Sequence, residues 1–157
     1  MLAYHHRLKT TKKNFGVYLL ELQIKKPIQI SAKKFLNQIF EKGYYYYSGS
    51  AQKNLSQRLE RHLRKKKIIH WHIDHLTSDV NVEIKSVLIA NESSKEFECE
   101  LINILTMNFN LGINHKGFGN GDCNICDSHL LYSKNKLNYN HLISLYQSIE
   151  RFIPSSK

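Results

Sequence analysis

The segment Tyr44–Ala51, which reads YYYYSGSA, places four consecutive tyrosines directly before three small residues that favour turns. Aromatic side chains are common in β-strands, and successive side chains of a strand point to opposite faces. We therefore predict a strand with Tyr45 and Tyr47 on one face and Tyr44 and Tyr46 on the other. The small residues predict a tight joint between this strand and the next element.

A basic amphipathic helix is predicted directly after this joint, from Asn54 to about Lys66. Three leucines at helical spacing form its apolar stripe: Leu55, Leu59 and Leu63. The segment 53–67 carries seven cations against a single acidic residue, Glu60. These cations are Lys53, Arg58, Arg61, Arg64, Lys65, Lys66 and Lys67. Such a cluster predicts binding to a polyanion such as nucleic acid.

Further strands and helices are predicted on both sides of this region. Phe15–Ile24 and Val80–Asn91 are rich in β-favouring residues and predict two more strands. Ser93 and Glu96 match a capping box, which predicts a helix to about Met107. The chain ends with apolar residues at helical spacing, which predict a closing amphipathic helix. They are Leu142, Leu145, Tyr146, Ile149, Phe152 and Ile153, with Pro154 as the stop.

These elements predict one α+β domain with an antiparallel sheet of about three strands flanked by helices. Residues 1–14 are interpreted as a basic N-terminal arm, and residues 15–157 as the single domain. The length of 157 residues suits one compact core. The absence of a long apolar run predicts no membrane partner, and the three cysteines favour a reducing cytoplasm over a disulfide-rich secreted protein. No obligate protein partner is evident.

Three constellations, that is, groups of residues that can act together in catalysis or metal binding, are present in the sequence. In the first, two antiparallel strands would bring Tyr18 of the GVY segment close to Tyr47, and the joint would deliver Arg58 nearby. Phenols and a guanidinium suit a phosphodiester, because the guanidinium donates to phosphate oxygens and a tyrosine orients water. The alternative is that the tyrosines pack in the core and the arginines face solvent.

The second constellation is HWHIDH, residues 70–75. In an extended segment, His70, His72 and Asp74 would project to one side. Such a group can bind a metal, but bracing of the site and of the basic helix by hydrogen bonds is favoured.

The third constellation is Cys123-x-x-Cys126-x-x-His129, which supplies three zinc ligands. A closed zinc site requires four ligands, and Cys99, His72 and His115 are the candidates for the fourth. A reduced, hydrogen-bonded loop without metal is the alternative.

The ordered segments GVYLL, YYYYSGSAQ and RLERH, followed by a helical glutamate, resemble the GIY-YIG nuclease superfamily. Together with HWHIDHL and GFGNGDCNICDSHLLY, they are most similar to its small Uri-type, DUF123-like branch. The resemblance covers roughly residues 15–132. The second tripeptide of the superfamily is altered to YSG, which places Ser48 where an apolar residue is usual.

The resemblance implies a role for each matching residue. Tyr18 would act as general base or water-orienting group, and Tyr47 would order the same water. Arg58 would stabilise charge on the scissile phosphate, and His62 would contact the phosphate or the tyrosine. His70 would lie at the rim of the site and contact nucleic acid.

A helical glutamate would hold one divalent ion, Mg²⁺ or Mn²⁺. Glu98 and Glu100 flank the apolar stripe of the helix after Ser93, and both are placed where a carboxylate can reach a cleft. Glu98 is favoured because the Glu98-Cys99 pair is similar to the Uri-type pattern, whereas Glu96 is explained by the capping box.

The resemblance thus implies a magnesium-dependent endonuclease that hydrolyses DNA by water attack. DNA or RNA, single strand or duplex, and a role in repair, restriction or mobile elements all stay open. The alternative is a non-catalytic nucleic-acid-binding module on the same scaffold. A zinc hydrolase built on HWHID and the cysteines is a third hypothesis.

Overall fold

The computed structural model of the protein describes residues 13–121, 123–145 and 149–155. The predicted basic arm, residues 1–14, lies outside this part of the chain apart from its last two residues. Tyr146 of the predicted closing helix also lies outside it.

Five antiparallel strands form one sheet in the order β4-β2-β1-β3-β5. The strands are β1 (Gly16–Ile24), β2 (Gly43–Ala51), β3 (Val82–Asn91), β4 (Leu130–Ser133) and β5 (Ile149–Phe152). The three long central strands are the three that the sequence predicts. The two short edge strands were not predicted, so the estimate of about three strands was too low.

Four helices accompany the sheet in the described residues: α1 (Leu55–Leu63), α2 (His72–Thr77), α3 (Phe97–Phe109) and α4 (Asn140–Leu145). None of the helices in this part of the chain has the length and apolar composition that a bilayer crossing requires. The segment between β1 and β2 forms only a short 3₁₀ turn, Lys33–Phe35, and an isolated bridge between Ile28 and Phe40. This segment covers one face of the sheet.

The tyrosine strand alternates between two apolar clusters, as predicted. Tyr45 and Tyr47 belong to the cluster that contains Tyr18 and the buried leucines of α1. Tyr46 belongs to the opposite cluster, against which Tyr44 packs. The alternation confirms the assignment of the four tyrosines to two faces, and it brings Tyr47 to the same face as Tyr18 on the neighbouring strand.

The end of the chain differs from the predicted helix. The described helical part is Asn140–Leu145, and Ile149–Phe152 is not helical but pairs with β3 as the edge strand β5. Ile149 and Phe152 are both buried at a spacing of three residues, which fits a helix and an irregular edge strand equally well. Pairing with β3 satisfies backbone groups that a helix would leave unpaired at the sheet edge.

The predicted capping box does not form either. The Ser93 hydroxyl accepts a hydrogen bond from the Val17 N–H at 2.9 Å and donates to the Ala90 carbonyl at 2.6 Å. Helix α3 starts four residues later, at Phe97, and the N-cap Glu96 makes no side-chain hydrogen bond to it. Ser93 therefore ties the turn after β3 to β1 instead of capping α3.

Residues 70–75 are not extended, in contrast to the prediction. Helix α2 begins at His72 because the Asp74 carboxylate accepts hydrogen bonds from the backbone N–H groups of His70 and Trp71, at 2.8 and 2.9 Å. These groups precede the helix and have no partner within it. His70, His72 and Asp74 therefore do not project together as a set of metal ligands.

Candidate active site and cysteine cluster

A cleft of about 460 Å³ lies at the ends of β1 and β2, between α1 and the first turn of α3. All five residues predicted to be catalytic line it: Tyr18, Tyr47, Arg58, His62 and Glu98. Trp71, Cys123 and His129 line it as well. The structure thus brings Tyr18 and Glu98 together although they are 80 residues apart in sequence.

Tyr18 and His62 form the deepest pair in the cleft. The Tyr18 hydroxyl lies 2.7 Å from Nε2 of His62, and both side chains are buried. Burial lowers the pKa of His62 to about 3, and the nearby Lys67 adds to this effect. Burial also raises the pKa of Tyr18 well above its usual value, and Tyr47 contributes, while Arg58 opposes the rise. At neutral pH the pair is a neutral phenol beside a neutral imidazole.

The position of Tyr18 depends on Gly49. The two residues are partners across β1 and β2, and a Cβ atom on Gly49 would approach the Tyr18 ring and hydroxyl to 2.6 Å. The glycine of the YSG segment therefore leaves the space that the Tyr18 ring occupies next to β2. Gly119, at φ +72°, is similarly close to the ring of Tyr47.

Arg58 is held at the wall of the cleft by two contacts. Its Nη1 donates to the Ser50 carbonyl at 2.6 Å, and its guanidinium lies 4.8 Å from the centre of the Trp71 ring. Arg58 follows Leu55 by about one turn of α1, on the side of the helix next to β1. The guanidinium has five N–H donors in total, so these contacts leave donors for an anion in the cleft.

Glu98 lies in the first turn of α3, and its backbone is fixed by an unusual residue of β2. The buried Ser48 hydroxyl donates to the Glu98 carbonyl at 3.0 Å. The Glu98 carboxylate lies 3.8 Å from Nδ1 of His129. Glu100, the other candidate, is exposed and does not line the cleft. The polar Ser48 of the YSG segment thus makes a contact that positions the backbone of Glu98.

Arg61 faces away from the cleft and has a structural contact. Its guanidinium forms a two-point ion pair with the fully buried Asp74, with N–O distances of 2.6 and 2.7 Å. The hydrogen bonds from Arg61, Trp71 and His70 lower the pKa of Asp74 to about 2, although burial acts in the opposite direction. The expected bracing of the basic helix by HWHID is confirmed for Asp74.

Two of the predicted phosphate-binding lysines are also engaged within the protein. Lys65 donates to the carbonyls of Asp79 and Val82. Lys67 donates to the Arg61 and His62 carbonyls and to the Thr77 hydroxyl, at 2.7 to 3.0 Å. It therefore caps the carboxyl end of α1. The exposed members of the predicted nucleic-acid-binding set are Lys53, Arg64, Lys65, Lys66 and His70, of which Lys65 is engaged with backbone carbonyls.

The two remaining histidine candidates for metal binding have other partners. Nδ1 of His72 accepts the Gly119 N–H at 3.2 Å. Nδ1 of His115 lies 2.7 Å from the side-chain oxygen of Gln38, and its ring stacks on Phe40 at 3.8 Å. Neither therefore supplies the fourth zinc ligand.

Cys99 joins the predicted loop ligands instead. One ligand atom each of Cys99, Cys123, Cys126 and His129 lies within 4.8 Å of the others. This Cys₃His cluster could bind a metal such as zinc. Burial opposes ionisation of Cys123, but hydrogen bonds from Cys99, Cys126 and Ile125 lower its pKa to about 6. The thiolate, which is the form that binds metals, is accessible there at neutral pH.

Sequence reasoning missed Ser48 and Trp71 as parts of the site. The signal for Ser48 was a polar residue in the middle of the YSG segment, between Tyr47 and Gly49. Trp71 had no such signal, because its place over Arg58 depends on where α2 begins.

The comparison with protein families matches residues 17–151 to the domain of unknown function DUF123. The chain belongs to the DUF123 family. The matched region contains every residue that lines the cleft and all four residues of the Cys₃His cluster. Comparisons of this DUF123 protein with curated proteins and with solved structures gave no match.

Proposed function

We propose that this DUF123 protein is a GIY-YIG-type, metal-dependent endonuclease that hydrolyses phosphodiester bonds in DNA. One observation carries the proposal. Two tyrosines, an arginine, a histidine and a carboxylate converge on one cleft, and exposed cations precede and follow the helix α1 that carries Arg58 and His62. The net charge of +10 supports a polyanionic substrate.

In the proposed reaction, Tyr18 orients the attacking water. Its oxygen lies 2.7 Å from Nε2 of the neutral His62 ring; in the proposed tautomer Nε2 is the acceptor, which leaves a lone pair of the phenol oxygen to accept a hydrogen bond from water. Tyr47 lies on the same face and restricts the space that this water occupies. The charge of Arg58 favours ionisation of the Tyr18 phenol, because it counteracts the effect of burial on the pKa of Tyr18.

Arg58 supplies the donors for the phosphate. Charge increases on the non-bridging oxygens as water attacks, and a guanidinium that is already held in place stabilises this charge without reorganisation. The hydrogen bond to Ser50 and the Trp71 ring provide that support.

Glu98 is the proposed ligand for Mg²⁺ or Mn²⁺. Among the described residues that line the cleft it is the only carboxylate, and one carboxylate suits Mg²⁺, which retains several of its waters. The bound ion would polarise the phosphate and neutralise its charge. Ser48 fixes the backbone of Glu98, so the carboxylate is presented from a rigid helix turn.

The cytoplasm, as a reducing compartment, is part of the proposal because all three cysteines are free. The chain carries its cleft on a single domain, so no second protein is required for the proposed chemistry.

The proposal is tested by incubating the protein with end-labelled single-stranded, duplex and flap DNA, and with the same set in RNA, in Mg²⁺, Mn²⁺ or EDTA. We expect cleavage of at least one DNA substrate that EDTA abolishes. Tyr18→Phe removes only the hydroxyl and should lower the rate by on the order of 10²–10³. Binding of DNA without cleavage of any substrate would instead favour the nucleic-acid-binding module.

A further inference from the structure

We propose that Cys99, Cys123, Cys126 and His129 bind one structural Zn²⁺, which fixes the loop of residues 119–129 to helix α3 at the wall of the cleft. This inference is independent of the proposed nuclease activity, because it rests on the four ligands alone.

The ligand set has the composition of a closed zinc site. Three sulfurs and one imidazole nitrogen match the Cys₃His class of tetrahedral structural sites. The ligand atoms come from three separate parts of the chain. Cys99 lies in the first turn of α3, Cys123 and Cys126 lie in the loop, and His129 directly precedes β4. A metal there would join helix α3, the loop and the residue before β4 through one ion.

The four ligand atoms converge closely enough to share one ion, because all of them lie within 4.8 Å of one another. Sγ of Cys99 lies 2.9 Å from Sγ of Cys123 and 2.7 Å from Sγ of Cys126, and Nε2 of His129 lies 3.5 Å from it. The three cysteines are free. Tetrahedral Zn–S bonds of about 2.3 Å place two sulfurs roughly 3.8 Å apart, so a bound Zn²⁺ would widen these contacts slightly and would offset the repulsion between neighbouring thiolates.

The surroundings of the ligands fit the same interpretation. The backbone N–H of Ile125 donates to Sγ of Cys123 at 3.4 Å, an interaction that stabilises a thiolate. Nδ1 of His129 faces the Glu98 carboxylate at 3.8 Å, and zinc-bound histidines commonly direct their second nitrogen to a carboxylate or carbonyl. The Ser48 N–H donates to the His129 carbonyl at 2.9 Å, which anchors this ligand on β2.

The arrangement distinguishes this zinc from the proposed magnesium. All four ligands are protein side chains, so no coordination position is left open for water or substrate. Cys123 and His129 nevertheless line the cleft together with Glu98. The zinc would therefore shape the cleft wall and would not take part in hydrolysis.

The test is metal analysis of the purified, reduced full-length protein after reconstitution with zinc and removal of the excess. We expect about one zinc per chain, and X-ray absorption with three sulfur neighbours at about 2.3 Å and one nitrogen at about 2.0 Å. Cys99→Ser should lose zinc at least tenfold more readily to a competing chelator. Asn124→Ser, an exposed change in the same loop, should retain it.

Three results would overturn the proposal. These are a metal-free protein after reconstitution, retention of zinc by Cys99→Ser with wild-type affinity, or a mass two hydrogens lower that reveals a disulfide. If Cys99→Ser does not fold, zinc is instead removed from the wild-type protein. Amide hydrogen exchange is then compared between the zinc-loaded and the zinc-free protein. Faster exchange of residues 119–129 on zinc removal, reversed on reloading, supports the proposal, and unchanged exchange contradicts it.

Discussion

Glu21 and Glu98 are both buried carboxylates, but their surroundings differ. Glu21 accepts hydrogen bonds from the hydroxyls of Tyr46, Tyr139 and Ser86, at 3.1, 2.7 and 3.3 Å. The Glu98 carboxylate lies at the cleft, and its nearest basic partner among the described residues is His129 at 3.8 Å. A carboxylate whose oxygens are already satisfied stabilises the fold, whereas one that faces a cleft with few partners remains available to a cation.

Two arginines on α1 differ in the same way, because one is engaged within the protein and the other faces the cleft. Arg61 is committed to the buried Asp74 and to the Ile68 carbonyl. Arg58 has no carboxylate partner among the described residues; it donates to the Ser50 carbonyl, contacts the Tyr18 hydroxyl and faces the cleft. The two arginines are therefore expected to serve stability and chemistry, respectively.

The largest expected effect is that of Glu98→Gln on cleavage. A neutral amide is a poor ligand for a hard cation, so we expect the Mg²⁺-dependent rate to fall by on the order of 10³. DNA affinity and the unfolding midpoint should change little. The matched control is Glu100→Gln, an exposed position two residues away, which should cleave normally. Normal cleavage by Glu98→Gln with loss in Glu100→Gln would exchange the two assignments.

Alanine at the two arginines should give opposite defects. Arg58→Ala should reduce the cleavage rate by on the order of 10²–10³ and leave stability nearly unchanged. Arg61→Ala leaves the Asp74 charge buried and unpaired, which typically costs about 3–5 kcal/mol of unfolding free energy. Rates per folded molecule and chemical denaturation measure the two effects. A folded Arg58→Ala protein with wild-type rate would remove Arg58 from the proposed mechanism.

Glu21→Gln should affect stability without affecting cleavage. The amide nitrogen would face hydroxyl donors and leave at least one of them unsatisfied, so we expect a loss of about 1–3 kcal/mol in denaturant unfolding. Cleavage per folded molecule should stay at the wild-type level. A cleavage defect larger than the unfolded fraction explains would show that Glu21 also affects catalysis, and it would contradict the division of roles between Glu21 and Glu98.

The buried His62 side chain should make the stability of the protein sensitive to acid. Burial lowers its pKa from 6.5 to about 3, so between these values the unfolded state binds a proton that the folded state does not. The free energy of unfolding is therefore unaffected by His62 protonation above pH 6.5. It declines as the pH falls from 6.5 towards 3, by at most about 1.4 kcal/mol per pH unit. His62→Gln should reduce the slope of unfolding free energy between pH 6.5 and 4.5. An identical slope in both proteins would contradict a neutral buried His62.

The smallest expected effect concerns salt. If Lys53, Arg58, Arg64 and Lys66 each contact a phosphate, the logarithm of DNA affinity should fall with log salt at a slope of roughly −3 to −4. Lys66→Ala should make this slope shallower by about one unit, whereas Lys65→Ala should not, because Lys65 is bound to the Asp79 and Val82 carbonyls. Fluorescence anisotropy over a salt series measures both.

The sequence predicted the centre of the fold and the composition of the cleft better than its edges. Alternation along β2 assigned Tyr46 and Tyr47 to their faces because a strand has a period of two. In contrast, the spacing of Ile149 and Phe152 suited both a helix and a strand, and only the unpaired edge of β3 decided between them.

Long-range partners were the other limit of prediction. Cys99 is 24 residues from Cys123, and spacing alone could not rank it above His72 or His115 as the fourth ligand. That ranking depends on the first turn of α3 lying against the loop, together with the contacts that occupy both histidines. The helical start at His72 was similarly hidden, because it depends on Asp74 accepting backbone N–H groups next to Arg61.

Trp71 gives the protein a built-in optical reporter. It is the only tryptophan in the sequence, and its half-exposed ring lines the cleft with the guanidinium groups of Arg58 and Arg61 at 4.8 and 4.5 Å. Any molecule that enters the cleft and draws Arg58 towards it changes the polarity around a single indole. Intrinsic emission therefore reads the occupancy of the cleft directly, without a label and without turnover.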